Sequence, residues 1–144
     1  SLLLVNTNED DAYEEKTINM LYSKMVDGII LSPTSNNIDY LNRFTKSMPI
    51  VLVNRYHEIV KNAPRVTGNN YRIGYDATAH LIDHGHKNIG LIYSVPGVST
   101  TEGRLKGYKD ALKQNNILYH ENNLEIGYGT VDGGRKAVEK LLKR

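Results

Sequence analysis

Apolar residues fall in short runs along this chain, and between the runs they recur every three or four positions. The runs at 1–6, 29–31, 50–53, 89–93 and 124–128 predict strands, those at 29–31 and 89–93 being short enough to be covered on both faces. Ile18, Leu21, Tyr22 and Met25 share one face of a helix predicted over 12–24. Ile38, Leu41 and Phe44 mark a short helix ended before Pro49. Residues 75–81 and 102–112 carry two more helices. Gly85 ends the first by reaching the left-handed conformation, and Asn115 and Asn116 stop the second. Asp132 is the expected cap of a last helix burying Ala137, Val138, Leu141 and Leu142. Residues 56–65 are polar and hold Pro64, so they read as a surface loop, followed by a short strand at 66–67.

This strand–helix alternation predicts an α/β fold with parallel sheets flanked by helices. The polar crossing Gly68-Asn69-Asn70 divides it into two parts, 1–68 and 69–144. Composition adds little: 40% hydrophobic and 24% charged residues suit a folded, soluble chain. A net charge of +2 is too small for a nucleic-acid surface, and no run is long enough to span a membrane. Cysteine is absent, which excludes disulfides and thiolate chemistry and suits the cytoplasm. Residues 2–5 are too few for a signal peptide and lack a basic flank.

In open α/β sheets ligands bind beyond the carboxyl ends of strands, which directs attention to the residues there. Arg104 is expected in the first turn of the helix after the strand at 89–93, beyond a loop at 94–101. Its guanidinium offers a rigid fork of donors to hydroxyls, a carboxylate or a phosphate. Ser32, Asn54 and Thr100 follow strand ends, where short polar groups meet a ligand at little entropic cost; turn chemistry is the competing reading. His80 and His84 share a helix face at a spacing that zinc can use, but only Asp83 offers a third ligand, so no metal is assigned. No nucleophile elbow, phosphate loop or dinucleotide fingerprint occurs, since Gly133-Gly134 is misplaced relative to Gly127-Tyr128-Gly129. The acidic groups at 9–11 and 14–15 suit a helix dipole better than acid–base work. No catalytic residue, enzyme activity or cofactor is therefore assigned.

The stretch HLIDHGHKNIGLI followed by RLKGY resembles the effector-binding core of LacI/GalR-family transcriptional repressors. VTGNNYRIGYDATAHL resembles the same family's passage between lobes, and VDGIILSP its third strand. The resemblance covers nearly the whole chain. It implies a two-lobed periplasmic-binding-protein-like fold with a ligand cleft between the lobes, only part of each lobe being present. The first strand and helix of the first lobe, the later elements of the second, and the DNA-binding headpiece are expected to be missing. The missing strand would lie between those at 1–6 and 29–31, so direct pairing of those two would contradict this expectation. Arg104 matches the family's effector-contacting arginine, and Asn54 stands where a ligand-contacting polar group is common. Tyr128 lies at or next to the family's stacking aromatic. A one-residue offset would leave it in the core or on the surface. Asn69 replaces the usual Asp. The implied function is sensing a small polar effector, by default a sugar, in a cytoplasmic homodimer that meets DNA only through the missing headpiece. A solute-binding protein of a transport system is the alternative, and an α/β enzyme stands behind both.

Overall fold

The structure is a computed structural model that describes residues 2–8, 10–34 and 38–144. Ser1, Glu9 and Ser35, which entered the expected first strand, acidic cluster and loop, lie outside the described residues. Two compact units appear, Ser1–Thr67 and Gly68–Arg144.

The first unit holds helix α1 (Asp11–Ser23) and strands β1 (Ile29–Leu31), β2 (Ile50–Val53) and β3 (Arg65–Val66), with a 3₁₀ turn at Asp39–Arg43. The three strands pair in parallel in the order β1-β2-β3. Register places Ile29 beside Ile50 and Leu31 beside Leu52. All four side chains are buried, and Ile18, Leu41 and Phe44 complete the core with them. Ile30 points the other way and is 80% exposed, so β1 is covered on one face rather than two.

Residues 2–6 form no strand, contrary to the pattern. A strand exists only through a neighbour's hydrogen bonds, and β1 pairs with β2 alone among the described residues. Direct pairing of this stretch with β1 is therefore not seen.

Asp10 caps α1 by accepting from the Tyr13 N–H at 2.8 Å. The buried face of α1 is Glu14, Thr17 and Ile18. Tyr22 and Met25, expected in the core, are exposed, Met25 at 87%. Met25 lies past the helix end at φ 52°, where the chain has already turned away.

Glu14 stands in the first turn of α1, as the helix-dipole reading of the acidic cluster expects, and is also buried, with only 1% of it exposed. Its carboxylate accepts from the Thr34 N–H and the Tyr40 hydroxyl, both at 2.9 Å.

The second unit holds α2 (Asn70–Asp83), β4 (Leu91–Tyr93), α3 (Ser99–Gln114), β5 (Leu124–Ile126) and α4 (Val131–Leu141). β4 and β5 pair in parallel. Both strands are shorter than predicted and half-buried throughout rather than fully covered. Both central helices start earlier than predicted, and α2 does so because it is capped. Asn69 Oδ1 accepts from the Arg72 N–H at 3.0 Å. Ahead of α3, Glu102 reaches back to the Gly97 N–H at 2.8 Å. Thr130, not Asp132, caps α4, its hydroxyl accepting from the Gly133 N–H at 3.0 Å. Of the four residues expected beneath α4, Ala137 is buried and Leu141 partly so, whereas Val138 and Leu142 are exposed.

Helices α2 and α3 meet backbone to backbone. A Cβ built on Gly74 would stand 2.1 Å from the Arg104 carbonyl oxygen, and one on Gly107 would stand 2.1 Å from that of Tyr71. A Cβ on Gly103 would stand 2.8 Å from Asn70 Cβ. Next to Gly107, buried Tyr108 donates its hydroxyl to the Ile89 carbonyl at 2.7 Å, tying α3 to the entry of β4.

Two predictions follow from this packing. Gly107→Ala forces the helices apart and should cost about 2 kcal/mol or more in urea denaturation. Gly134→Ala, in α4 with no atom within 4 Å of the added carbon, should instead stabilise by about 0.5–1 kcal/mol. The second concerns pH. Burial raises the Glu14 carboxyl above its usual range and the Asp11 charge adds to this, while the hydrogen bonds from Tyr40 and Thr34 oppose it. A carboxyl raised on folding contributes most below its unfolded value, and that contribution is lost as pH climbs through the folded value. The melting temperature of Glu14→Gln relative to the wild-type chain should therefore rise between about pH 4 and pH 7; a constant difference would show that the carboxyl is not raised.

Candidate functional site

At the carboxyl rim of the first unit's sheet, Ser32 and Asn54 leave neighbouring paired strands. Both are exposed. Asn54 sits at φ 65°, a left-handed conformation that asparagine tolerates better than most residues. Its backbone is fixed on both sides: the N–H donates to the Val66 carbonyl at 2.9 Å, and its own carbonyl accepts from the Thr67 hydroxyl at 3.0 Å. Arg55 follows and donates to the Thr34 carbonyl at 2.9 Å and the Pro33 carbonyl at 3.4 Å. Thus β2's exit is stitched to β1's exit through Arg55.

In the second unit, α3 brings Arg104 into its second turn, not the first, because the helix already begins at Ser99. Thr100 belongs to that helix rather than to the loop and is only 6% exposed, so it is packed rather than presented. Arg104 Nε donates to Asn70 Oδ1 at 3.0 Å. Asn70, itself buried, donates from Nδ2 to the Gly68 carbonyl at 3.1 Å. A carboxamide can serve both partners because it carries an acceptor and donors on one plane. Bonded at Nε, the guanidinium has its direction set, while the residue remains exposed. Sequence reasoning placed Asn70 in the crossing and gave it no role. Its one signal was its position immediately after the capping residue, at the start of a helix.

β5 ends at Ile126, and Gly127 N–H donates to the Tyr93 carbonyl at 2.7 Å, closing the ladder. Tyr128 then turns at φ 54° and is 64% exposed, which settles the choice between core and surface. Gly129 passes within 3.6 Å of Ser94 Oγ for a built Cβ, so the exits of β4 and β5 lie together. Gly133, considered as part of a dinucleotide turn, is instead a packing glycine whose Cβ would meet the Gly127 carbonyl at 2.2 Å.

Within each unit, then, the strand exits gather Ser32 with Asn54, and Ser94 with the turn holding Tyr128. Arg104 and Asn70 form a separate pair on α3 and α2.

The histidines are engaged locally. His84 Nδ1–H donates to the His80 carbonyl at 2.8 Å, and the two rings lie 4.3 Å apart. Among the described residues no three His, Cys, Asp or Glu side chains converge on a metal position. A groove of about 570 Å³ near Lys109, Lys113, Ile117, Leu118 and Tyr119 lies towards the carboxyl end of α3, apart from the strand exits. No helix among the described residues is long and apolar enough to cross a membrane.

The chain matches the family described as periplasmic binding proteins and sugar binding domain of LacI family over residues 1–144. It is 31% identical to catabolite control protein A of Priestia megaterium over 145 residues, covering 99% of this chain and 43% of that protein. The HTH-type transcriptional repressor PurR of Pasteurella multocida is 29% identical with the same coverage. Among solved structures, one assigned as a ribose operon repressor from Burkholderia thailandensis superposes with a TM-score of 0.89 at 32% identity, covering 100% of this chain and 53% of that one. The regulator CcpA of Lactococcus lactis gives 0.87 at 30% identity, covering 99% and 52%. The chain therefore spans about half the length of the relatives it matches. With its parallel strands and flanking helices shared by these regulators, and a family match from end to end, the chain belongs to the LacI/GalR family and represents part of its periplasmic-binding-protein-like effector domain.

Proposed function

We propose that this chain senses a small hydroxylated metabolite of the sugar class for a bacterial transcription regulator. In this reading Arg104 supplies the charged contact, with Ser32, Asn54 and Tyr128 as further contacts at the strand exits. Thr100 supports the start of α3. The observation that carries the reading is the Arg104–Asn70 pair: a buried carboxamide orients an exposed guanidinium. A preset fork gives up less entropy on meeting a ligand than a free one.

The relatives' names support the regulatory class, since they are repressors and control proteins rather than enzymes. A LacI-family regulator from Escherichia coli, 29% identical with a TM-score of 0.72, is described as sugar-binding and was solved with phosphate. That name favours a polar, hydroxylated effector. The effector acts by binding one arrangement of the domain better than another and shifting the balance between them. Regulation then reaches DNA through a separate headpiece, in a cytoplasmic homodimer. The regulatory relatives favour this over a role in solute transport.

Isothermal titration of the full-length protein against D-ribose, D-glucose, further carbohydrates and nucleobases should find a carbohydrate partner. Arg104→Ala should then weaken binding about 10- to 100-fold, the usual value of a charged hydrogen-bonding group. Arg104→Lys should fall between, having charge without the fork. Undiminished affinity in Arg104→Ala would remove that residue from the site, and binding confined to nucleobases would replace the sugar class. The 144-residue chain by itself should leave the mobility of an operator duplex unchanged.

A further inference from the structure

Thr34 lies three residues beyond the end of β1, at the rim that carries Ser32. All three of its polar groups are held by charged side chains from other elements. Its N–H donates to Glu14 Oε2 at 2.9 Å. Its hydroxyl donates to Asp11 Oδ1 at 2.6 Å. Its carbonyl accepts from Arg55 at 2.9 Å. Two of these groups come from the first turn of α1 and one from the exit of β2. Glu14 is the buried member, and its other oxygen is occupied by the Tyr40 hydroxyl.

A buried carboxylate costs stability unless it is well partnered, and a surface loop residue seldom needs three charged anchors. We infer that Glu14 is a positioning residue for the rim: with Asp11 and Arg55 it clamps Thr34, and thereby sets Ser32 for a hydroxylated ligand. The inference rests on the reading that such a ligand meets this rim. The physical gain is preorganisation. Fixing a residue's backbone costs conformational entropy, and a loop fixed in advance does not charge that cost against binding. Glu14 touches the loop and need not touch the ligand.

The test uses the full-length protein and two readouts. Amide hydrogen exchange at Thr34 reports the clamp, with the β2 amides as the control for general loosening. Titration with D-ribose and D-glucose reports its consequence for binding. Glu14→Leu keeps comparable bulk but offers no acceptor. It should speed Thr34 exchange about tenfold and weaken sugar binding about fivefold or more, within the range expected for an orphaned amide. Glu14→Gln retains an acceptor and should restore both to within about twofold of wild type. Asp11→Ala, on the surface, should act in the same direction more weakly, and it decides the matter if Glu14→Leu does not fold. Unchanged Thr34 exchange in these variants overturns the clamp. Faster exchange with unchanged sugar affinity overturns the positioning role. A wild-type protein that binds neither sugar overturns the choice of ligand instead, and exchange at Thr34 then judges the clamp separately.

Discussion

The contact between α2 and α3 governs the second unit. Helices usually pack through interlocking side chains at 8–10 Å between axes. Here glycines at 74, 103 and 107 remove the spacers, and main chain rests on main chain. Such a contact tolerates neither sliding nor rotation, because any Cβ moved into it collides with a carbonyl. The azimuth of α3 is thereby fixed. From it follow the inward aim of Tyr108 towards the Ile89 carbonyl and the meeting of Arg104 with Asn70. A side chain with many rotatable bonds acquires a direction because the helix beneath it has none to spare.

The first unit reaches order at its rim by other means. Among the described residues no glycine-lined helix pair stands behind Ser32 and Asn54. Their strands pair with each other, β2 pairs in turn with β3, and polar side chains cross between the loops. Apolar packing beneath the sheet is dense, with Ile18, Leu31, Leu41, Ile50 and Leu52 in one cluster. Above it, Glu14 and Arg55 do the joining. Burying a carboxylate for this purpose is costly, which is why its oxygens are both occupied.

Much of this was legible beforehand. Parallel strands at 29–31, 50–53 and around 92, the break near residue 68 and the glycine at 85 all follow from local pattern, because each is set by neighbours in sequence. The errors have physical causes. The run at 2–5 has strand composition, but pairing depends on a neighbour that composition does not reveal. Met25 continues the helical period beyond the point where the chain turns. Thr100 reads as a loop residue because α3 begins at Ser99 without a side-chain cap to mark its start. The burial of Glu14 has no local signal, since nothing in its surroundings in sequence announces Thr34 and Tyr40, 20 and 26 residues away. Asn70 escaped for the same reason, its partner Arg104 being 34 residues distant.

The paired helices have a mechanical consequence. Seated main chain against main chain at Gly74 and Gly107, α2 and α3 are held close together, and Gly68 is where the chain enters them. The Arg104 fork is joined through the Asn70 carboxamide to the Gly68 carbonyl, so the direction of the guanidinium and the start of α2 are set together.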